Sequence, residues 1–461
     1  MQSLLWILAF ACAGASKAAE SSDLPGDSLQ PVVAYQHPRS LARSAVYRVW
    51  ANGQPVEVLQ GGNADFVTFE SDGPVELRIE ATGLMAKATV RPLSRGVAFE
   101  INDRVMTFRI EKPQYLGVSV PGLIDLYIYA NAIERNRPAK SDPGLHYFAA
   151  GQVYEIGDFK LKSGETFYIE GGAVVKGNLH APKASHVRIA GRGILDGSYY
   201  NFAKKEEKRS IVFEESQGIL IEDIIMIHPS SWMIVIGASR DAHIRRVKQI
   251  GSVMSTDGVD ICGSRDVLIE QCFFRNDDDN IAIKSIARKG YLPWVGNIEN
   301  VTVRDCVFYK GQPGNSMEIG FELSADRVSN IVFENIDVVT KGGDGAVFAM
   351  HNSDRALIEN VRWENIRVES YWGKLIDLRV FKSRFTKDEE RGQIRGVTFK
   401  NIRVNHPPGH NGYVVSLLGG ASADKPVQGV VIEDLYLGET KVTTIEQLEL
   451  LTRHCDEVIF K

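Results

Sequence analysis

The chain has 461 residues, 44% of them hydrophobic, with 42 Gly, 17 Pro and a formal net charge of −5. That length supports a large core and more than one folding unit. The mild, dispersed acidity excludes a nucleic-acid footprint, and past the first residues no apolar run has the length of a membrane span.

Residues 1–19 read as a secretory signal peptide, which predicts export to the periplasm or the exterior. Leu4 to Ala13 form the apolar stretch, and Ala13 and Ala15 are small residues suited to cleavage. A buried N-terminal helix is the alternative. Outside this segment Cys262, Cys272, Cys306 and Cys455 fit no zinc spacing. Export permits a disulfide among them, but the sequence does not fix a pairing. Cys272 and Cys306 share one repeat position and read as small buried apolar side chains.

Residues 30–135 hold short alternating segments, among them AVYRVWANGQPVEVLQ, PVELRIEAT and RVMTFRIEK, separated by Asn-Gly, Asp-Gly and Asn-Asp turns. Period-two patterning with turns at this spacing predicts a small antiparallel β-sandwich. It carries no catalytic constellation. The charged, Pro-containing stretch Arg135 to Gly144 is the expected linker.

From Leu145 the pattern repeats. GILIEDIIM, DVLIEQCFF, NVTVRDCVF, NIVFENIDV, NVRWENIRV, GVTFKNIRV and GVVIEDLYL share one alternation, with a degenerate copy in AHIRRVKQI. The landmark positions are Ile221, Ile244, Ile269, Val303, Phe333, Trp363, Phe399 and Ile432, at steps of roughly 23 to 36 residues. One such unit cannot bury its own apolar face, but a stack of them can. Residues 145–461 are therefore predicted to form a right-handed parallel β-helix. The fold class is all-β, a solenoid preceded by a sandwich. TTIEQLELLTRHC, near the end, reads as an amphipathic helix with Thr443 and Glu446 as a capping box, covering the last coil. The sandwich is expected to cover the first.

Between the repeats lies a second set of strands, including DGVDICG, DNIAIKS, NSMEIGF, DGAVFAM and GKLIDLR. Stacked coils bring Asp257 into register with Asp279, about 4.8 Å apart, with Asp278 beside them. Strict alternation gives Asp257 and Asp279 inward parity, but both stand in turns before their strands, where alternation need not hold. The same outer face gathers Asp260, Lys284, Asn315 and Glu318. The following insertion IARKGYLPWVGN offers Arg288, Lys289, Tyr291 and Trp294. Trp294 reads equally well as a sugar-binding wall or as an anchor of the loop on the core.

A fold does not need clustered carboxylates, which repel one another. Glycoside hydrolysis does, with one acid protonated and another carboxylate activating water. A solvated turn and a hard-cation site are the competing readings; neither a metal nor a cofactor is expected.

HPSSWMIVI followed by STDGVDICGSRDVLIEQCFFRNDDDNIAIKS resembles the polygalacturonase family of glycoside hydrolases. A sandwich ahead of the β-helix is similar to the related dextranase and isopullulanase family. The resemblance implies Asp278 as general acid, Asp257 and Asp279 as the water-activating pair, Lys284 as the lysine ending the motif, and a polysaccharide as substrate. Ser255 replaces the family's Asn, Asp277 its Gly, and Gly314-Asn315-Ser316 its Gly-His-Gly turn. The Arg-Ile-Lys motif that reads the sugar carboxylate is absent. The corresponding strand, VFAMHN, carries His351, and Arg379 of the next strand is the candidate substitute. The substrate-reading set is thus expected to include Asp260, Lys284, Trp294, Asn315, Glu318, His351 and Arg379. A polysaccharide lyase or epimerase and a non-catalytic glycan-binding β-helix are the alternatives. Which glycan is bound, and the oligomeric state, are not legible.

Overall fold

The computed structural model describes residues 29–286, 293–405 and 415–461. The signal-peptide segment, together with Arg288, Lys289 and Tyr291, lies outside the described residues.

The strands from Leu145–Phe148 to Ile459–Phe460 form a parallel β-helix whose coils contribute to three stacked sheets. The first runs from Leu145–Phe148 and Thr166–Ile169 through Gln217–Glu222, Arg265–Glu270 and Leu357–Val368 to Val427–Leu437. Its register follows the repeat. Ile221 pairs with Ile244, Ile244 with Ile269, Ile269 with Val303, and the row continues through Phe333, Trp363 and Phe399 to Ile432. Phe333, Trp363 and Phe399 stack within the core, with ring centroids 5.9 and 4.9 Å apart.

Between the first and second sheets each coil from Gln217 onward turns through one left-handed residue: Asp223, Arg246, Gln271, Asp305, Asn335, Asn365, Asn401 and Asp434 have φ between 49° and 70°. Asx residues tolerate this conformation better than other non-glycine types. Their side chains also link coils: the Asn401 amide donates to Asn365 Oδ1 at 2.7 Å.

The third sheet carries the site. It stacks Ile211–Glu214, Ile234–Gly237, Val259–Cys262, Ile281–Ser285, Met317–Leu323, Ala346–Asn352 and Lys374–Val380. Val259, Ile261, Ile281, Ile283, Met317 and Ile319 all belong to the helix core.

Residues 33–131 build two small, mainly antiparallel sheets around a separate core. This sandwich does not cover the first coil, as the sequence suggested. It lies along the flank, against the second sheet, which stacks Ile225–Ile227, Lys248–Ile250, Phe273–Asn276 and Val307–Lys310. Phe66, Tyr127 and Tyr129 pack on Ile227, Phe273 and Tyr309, and the Tyr127 ring sits 4.9 Å from Phe273 and 5.0 Å from Tyr309. The second sheet carries Ile225, Ile227, Phe273, Val307 and Tyr309 on its outer surface, so that side needs a cover. Ion pairs edge the contact, between Arg192 and both Glu70 and Asp223, and between Arg91 and Glu369.

The expected C-terminal helix is not formed. Glu446–Leu448 make one 3₁₀ turn, Glu449 is left-handed, and Leu450–Arg453 join the third sheet. Leu448 and Leu450 are buried whereas Leu451 is 58% exposed, so the apolar face follows a turn and strand. Thr443 caps no helix; its amide donates to Gln447 Oε1 at 2.6 Å. Among the described residues no helix is long and apolar enough to cross a membrane.

Candidate active site

Asp257 stands in the turn before Val259–Cys262, and Asp278 and Asp279 in the turn before Ile281–Ser285. Pairing of Val259 with Ile281 aligns the two turns, and the Gly258 amide donates to the Asp279 carbonyl at 2.8 Å. Each of the three acids offers a carboxylate oxygen lying within 4.8 Å of the others'. The turn position overrides strict alternation, and all three line one groove.

The groove, about 920 Å³, runs along the third sheet. Lys205 and Arg209 line it on the N-terminal side, and Lys374, Asp377, Arg384 and Phe385 on the C-terminal side. Asp278 is the only one of the three acids not fully buried. Burial, and then the neighbouring Asp257 carboxylate, push it up to about 6. Asp279 is buried and lies near Asp278 and Asp257; these effects hold it well above the ordinary carboxylate range. The Asn315 backbone amide donates to Asp279 Oδ1 at 2.6 Å.

Lys284 balances the cluster. Its ammonium donates to Asp257 Oδ2 at 2.8 Å and to Asp260 Oδ1 at 2.7 Å, and lies 4.2 Å from the Trp232 ring centre. Burial alone would discharge it, but Asp257, Asp260 and Asp279 outweigh burial and hold it well above the ordinary amine range. Three clustered carboxylates suit a hard cation, yet here a lysine already provides positive charge to Asp257.

A second network lies further along the groove. His351 Nδ1 meets Glu318 Oε2 at 2.8 Å and Nε2 meets Asp377 Oδ2 at 3.2 Å, while its ring stacks on Phe321 at 4.5 Å. Burial would lower the imidazole; the facing Glu318 and Asp377 carboxylates outweigh it and raise it to about 9. Arg379 Nη2 donates to Asp377 Oδ2 at 2.8 Å. Burial works against the Asp377 charge, but His351 and Arg379 hold its carboxyl below the usual range.

The profile of glycosyl hydrolases family 28 matches residues 158–454, well over half of the chain. The chain belongs to glycosyl hydrolase family 28. It is 23% identical over 227 residues to an endo-polygalacturonase of Pectobacterium carotovorum subsp. carotovorum, covering 49% of this chain and 52% of that one. It is 23% identical over 198 residues to a polygalacturonase of Chamaecyparis obtusa, covering 42% and 36%. The chain thus spans about half or less of the length of these relatives. Dex49A from Penicillium minioluteum has the same overall fold, with a TM-score of 0.68 at 15% identity over 93% of this chain and 96% of that one.

As a family 28 chain, the protein is a member of the glycoside hydrolase superfamily with a candidate catalytic acid cluster. The other predicted site residues divide by position. Lys284, Asn315, His351 and Arg379 line the groove. Asp260 and Glu318 do not. Both are fully buried, Asp260 beneath Lys284 and Glu318 behind His351, so they hold the groove's cations and do not reach into it. Trp294 is an anchor: it is 4% exposed, its Nε1 donates to Glu214 Oε1 at 2.8 Å, and it packs with Val235, Cys262 and Ile286. Its Pro-Trp-Val context gave no means of telling an anchoring ring from an exposed one.

The sequence reading missed Asp377, Trp232, Phe321 and Phe385. Asp377 was within reach, because the outward row of Asp260, Ala282 and Glu318 continues through Ala349 to Asp377. Phe385 belongs to a loop without a repeat landmark.

Proposed function

We propose that the protein is an exported polysaccharide hydrolase that inverts the anomeric centre. Asp278 is the general acid, and Asp257 and Asp279 hold the attacking water. The observation that carries this reading is Asp278 itself. It opens on the groove, makes no ion pair among the described residues, and is pushed up to about 6, so near neutral pH a useful fraction is protonated to give a proton to the leaving oxygen. Asp257 is held by Lys284 and Asp279 by the Asn315 amide, which fixes their orientation. The polygalacturonase relatives support a polysaccharide substrate. Because Arg379 is committed to Asp377, it is not a free clamp for a sugar carboxylate.

Purified wild type and Asp278→Asn would be incubated with pectic, α-glucan and sulfated polysaccharides, with new reducing ends followed by NMR. Product from wild type alone, first seen with inverted configuration, supports the proposal. Retained configuration makes one of the buried acids a nucleophile, and unsaturated ends make the protein a lyase.

A further inference from the structure

Beneath the acid cluster lies a charge that the mechanism above does not use. Lys310 ends the strand Val307–Lys310 in the second sheet and is buried. Among the described residues no carboxylate lies within ion-pair distance of its ammonium. Instead it donates to two backbone carbonyls, Gly311 O at 3.0 Å and Pro313 O. These belong to the short turn leading into the next strand of the third sheet.

That turn touches both acids. Gly314 is left-handed, with φ 92°, and a Cβ there would collide with Asp278 Oδ1. Glycine therefore lets the backbone lie directly against that carboxylate. The next residue, Asn315, gives its amide to Asp279 Oδ1 at 2.6 Å, while its own Oδ1 accepts from the Ala346 amide at 2.7 Å. One coil further on, Lys341 pairs in register with Lys310 and donates to Gly343 O at 2.7 Å. Asn276 occupies the position one coil before, bonded to Gln249 and Asn280. A lysine therefore enters this row in the coil whose turn meets the acids.

We propose that Lys310 is a positioning residue of the hydrolytic centre. Its ammonium ties down the turn that seats Gly314 on Asp278 and presents the Asn315 amide to Asp279, and it supplies a second positive charge behind the cluster. This rests on the reading of Asp257, Asp278 and Asp279 as the hydrolytic centre. The charged groups facing Lys310 are Asp277, Asp278, Asp279 and Asp257, with Lys341 in the next coil and Arg275 near Gly311. Burial brings the ammonium down to about 8 against the pull of these acids. Its proton is thus present where Asp278 works and is lost in mildly alkaline solution.

Lys310→Met keeps the length of the side chain and removes the charge. Carbon-13 NMR titration of labelled aspartates reads the acids whether or not a substrate is in hand. In Lys310→Met the Asp278 titration should move up by about half a unit or more, because a nearby positive charge is gone. Lys341→Met, one coil further from the acids, should move it much less. On a cleaved glycan, kcat of Lys310→Met should fall at least tenfold at pH 6 with KM changed less than threefold, and the second, steeper fall of wild-type kcat above about pH 8, beyond the one that follows Asp278, should disappear. In wild type that alkaline break should move to lower pH on warming, as an ammonium's does and a carboxyl's does not. An unmoved Asp278 titration, an equal shift in Lys341→Met, or an alkaline break insensitive to temperature overturns the role of Lys310. Full activity in Asp278→Asn overturns the hydrolytic reading instead.

Discussion

Replacing Asp278 with Asn should stabilise the protein while abolishing its activity. The acid is held near 6 against an ordinary value of 3.8, so the folded state prefers its protonated form. With the folded pKa raised, the stabilising contribution is complete below about pH 3.8 and is lost as pH rises through about 6. By neutral pH a shift of about two units corresponds to about 3 kcal/mol. Asn cannot ionise, and its amide oxygen still accepts the Asp279 N–H that Asp278 Oδ1 accepts at 3.1 Å. Asp278→Asn should therefore gain up to about 3 kcal/mol over wild type at pH 7 and almost nothing at pH 3.5. A chain this long unfolds with an entropy of roughly 1 kcal/mol/K, so Tm should rise by about 3 °C at pH 7. Differential scanning calorimetry of both proteins from pH 3.5 to 8 reads the effect. Equal Tm values at pH 7, or a gain of the same size at both extremes, would refute the claim that burial and like charge strain this carboxyl.

Lys284→Met should cost about 3–5 kcal/mol at neutral pH, because it strands Asp257 and Asp260 as unpaired buried acids; denaturant melts at pH 4.5 should recover part of the loss as Asp260 takes up a proton. His351→Gln should lose about 3 kcal/mol at pH 6 and far less near pH 9.5. The imidazole's raised pKa contributes fully below 6.5 and is lost through about 9, and paired urea titrations at the two pH values check it. Trp294→Ala should lower stability by about 3–5 kcal/mol as a buried anchor does, while KM, measured well below Tm, stays within a factor of two to three. A larger KM effect would return Trp294 to the sugar-binding wall.

The solenoid was legible because a parallel coil needs an inward apolar residue at the same place each time, and Ile221 to Ile432 supply it. The acid cluster was legible for a related reason: Asp257 and Asp279 precede strands that align. The flank was harder. Ile224 to Ile227, Cys272 to Phe274 and Cys306 to Tyr309 are unbroken apolar runs, the mark of strands covered on both sides. Read as part of a one-sided alternation, they concealed the docking surface of the sandwich. At the C-terminus, Ile445, Leu448 and Leu451 suit a helical stripe, but the left-handed Glu449 resets the pattern. Glu318 and Asp260 were placed on the correct outer row, yet parity along a strand does not say which outward side chains lie beneath a neighbour such as Lys284 or His351.

The sandwich also divides the solenoid into two mechanical regimes. A stack in which each coil meets only its neighbours unravels from an end, one coil at a time. Here Tyr35 lies against Gly171 and Arg91 against Glu369, so the coils between are fastened sideways to a body with its own core. Those coils must open together or not at all, and Asp257, Asp278 and Asp279 belong to them. The coils after Glu369 have no such brace among the described contacts and depend on stacking. Amide exchange should therefore begin at the C-terminal coils and advance inward until it meets the fastened block, leaving the chemistry in the part of the rod that is last to fray.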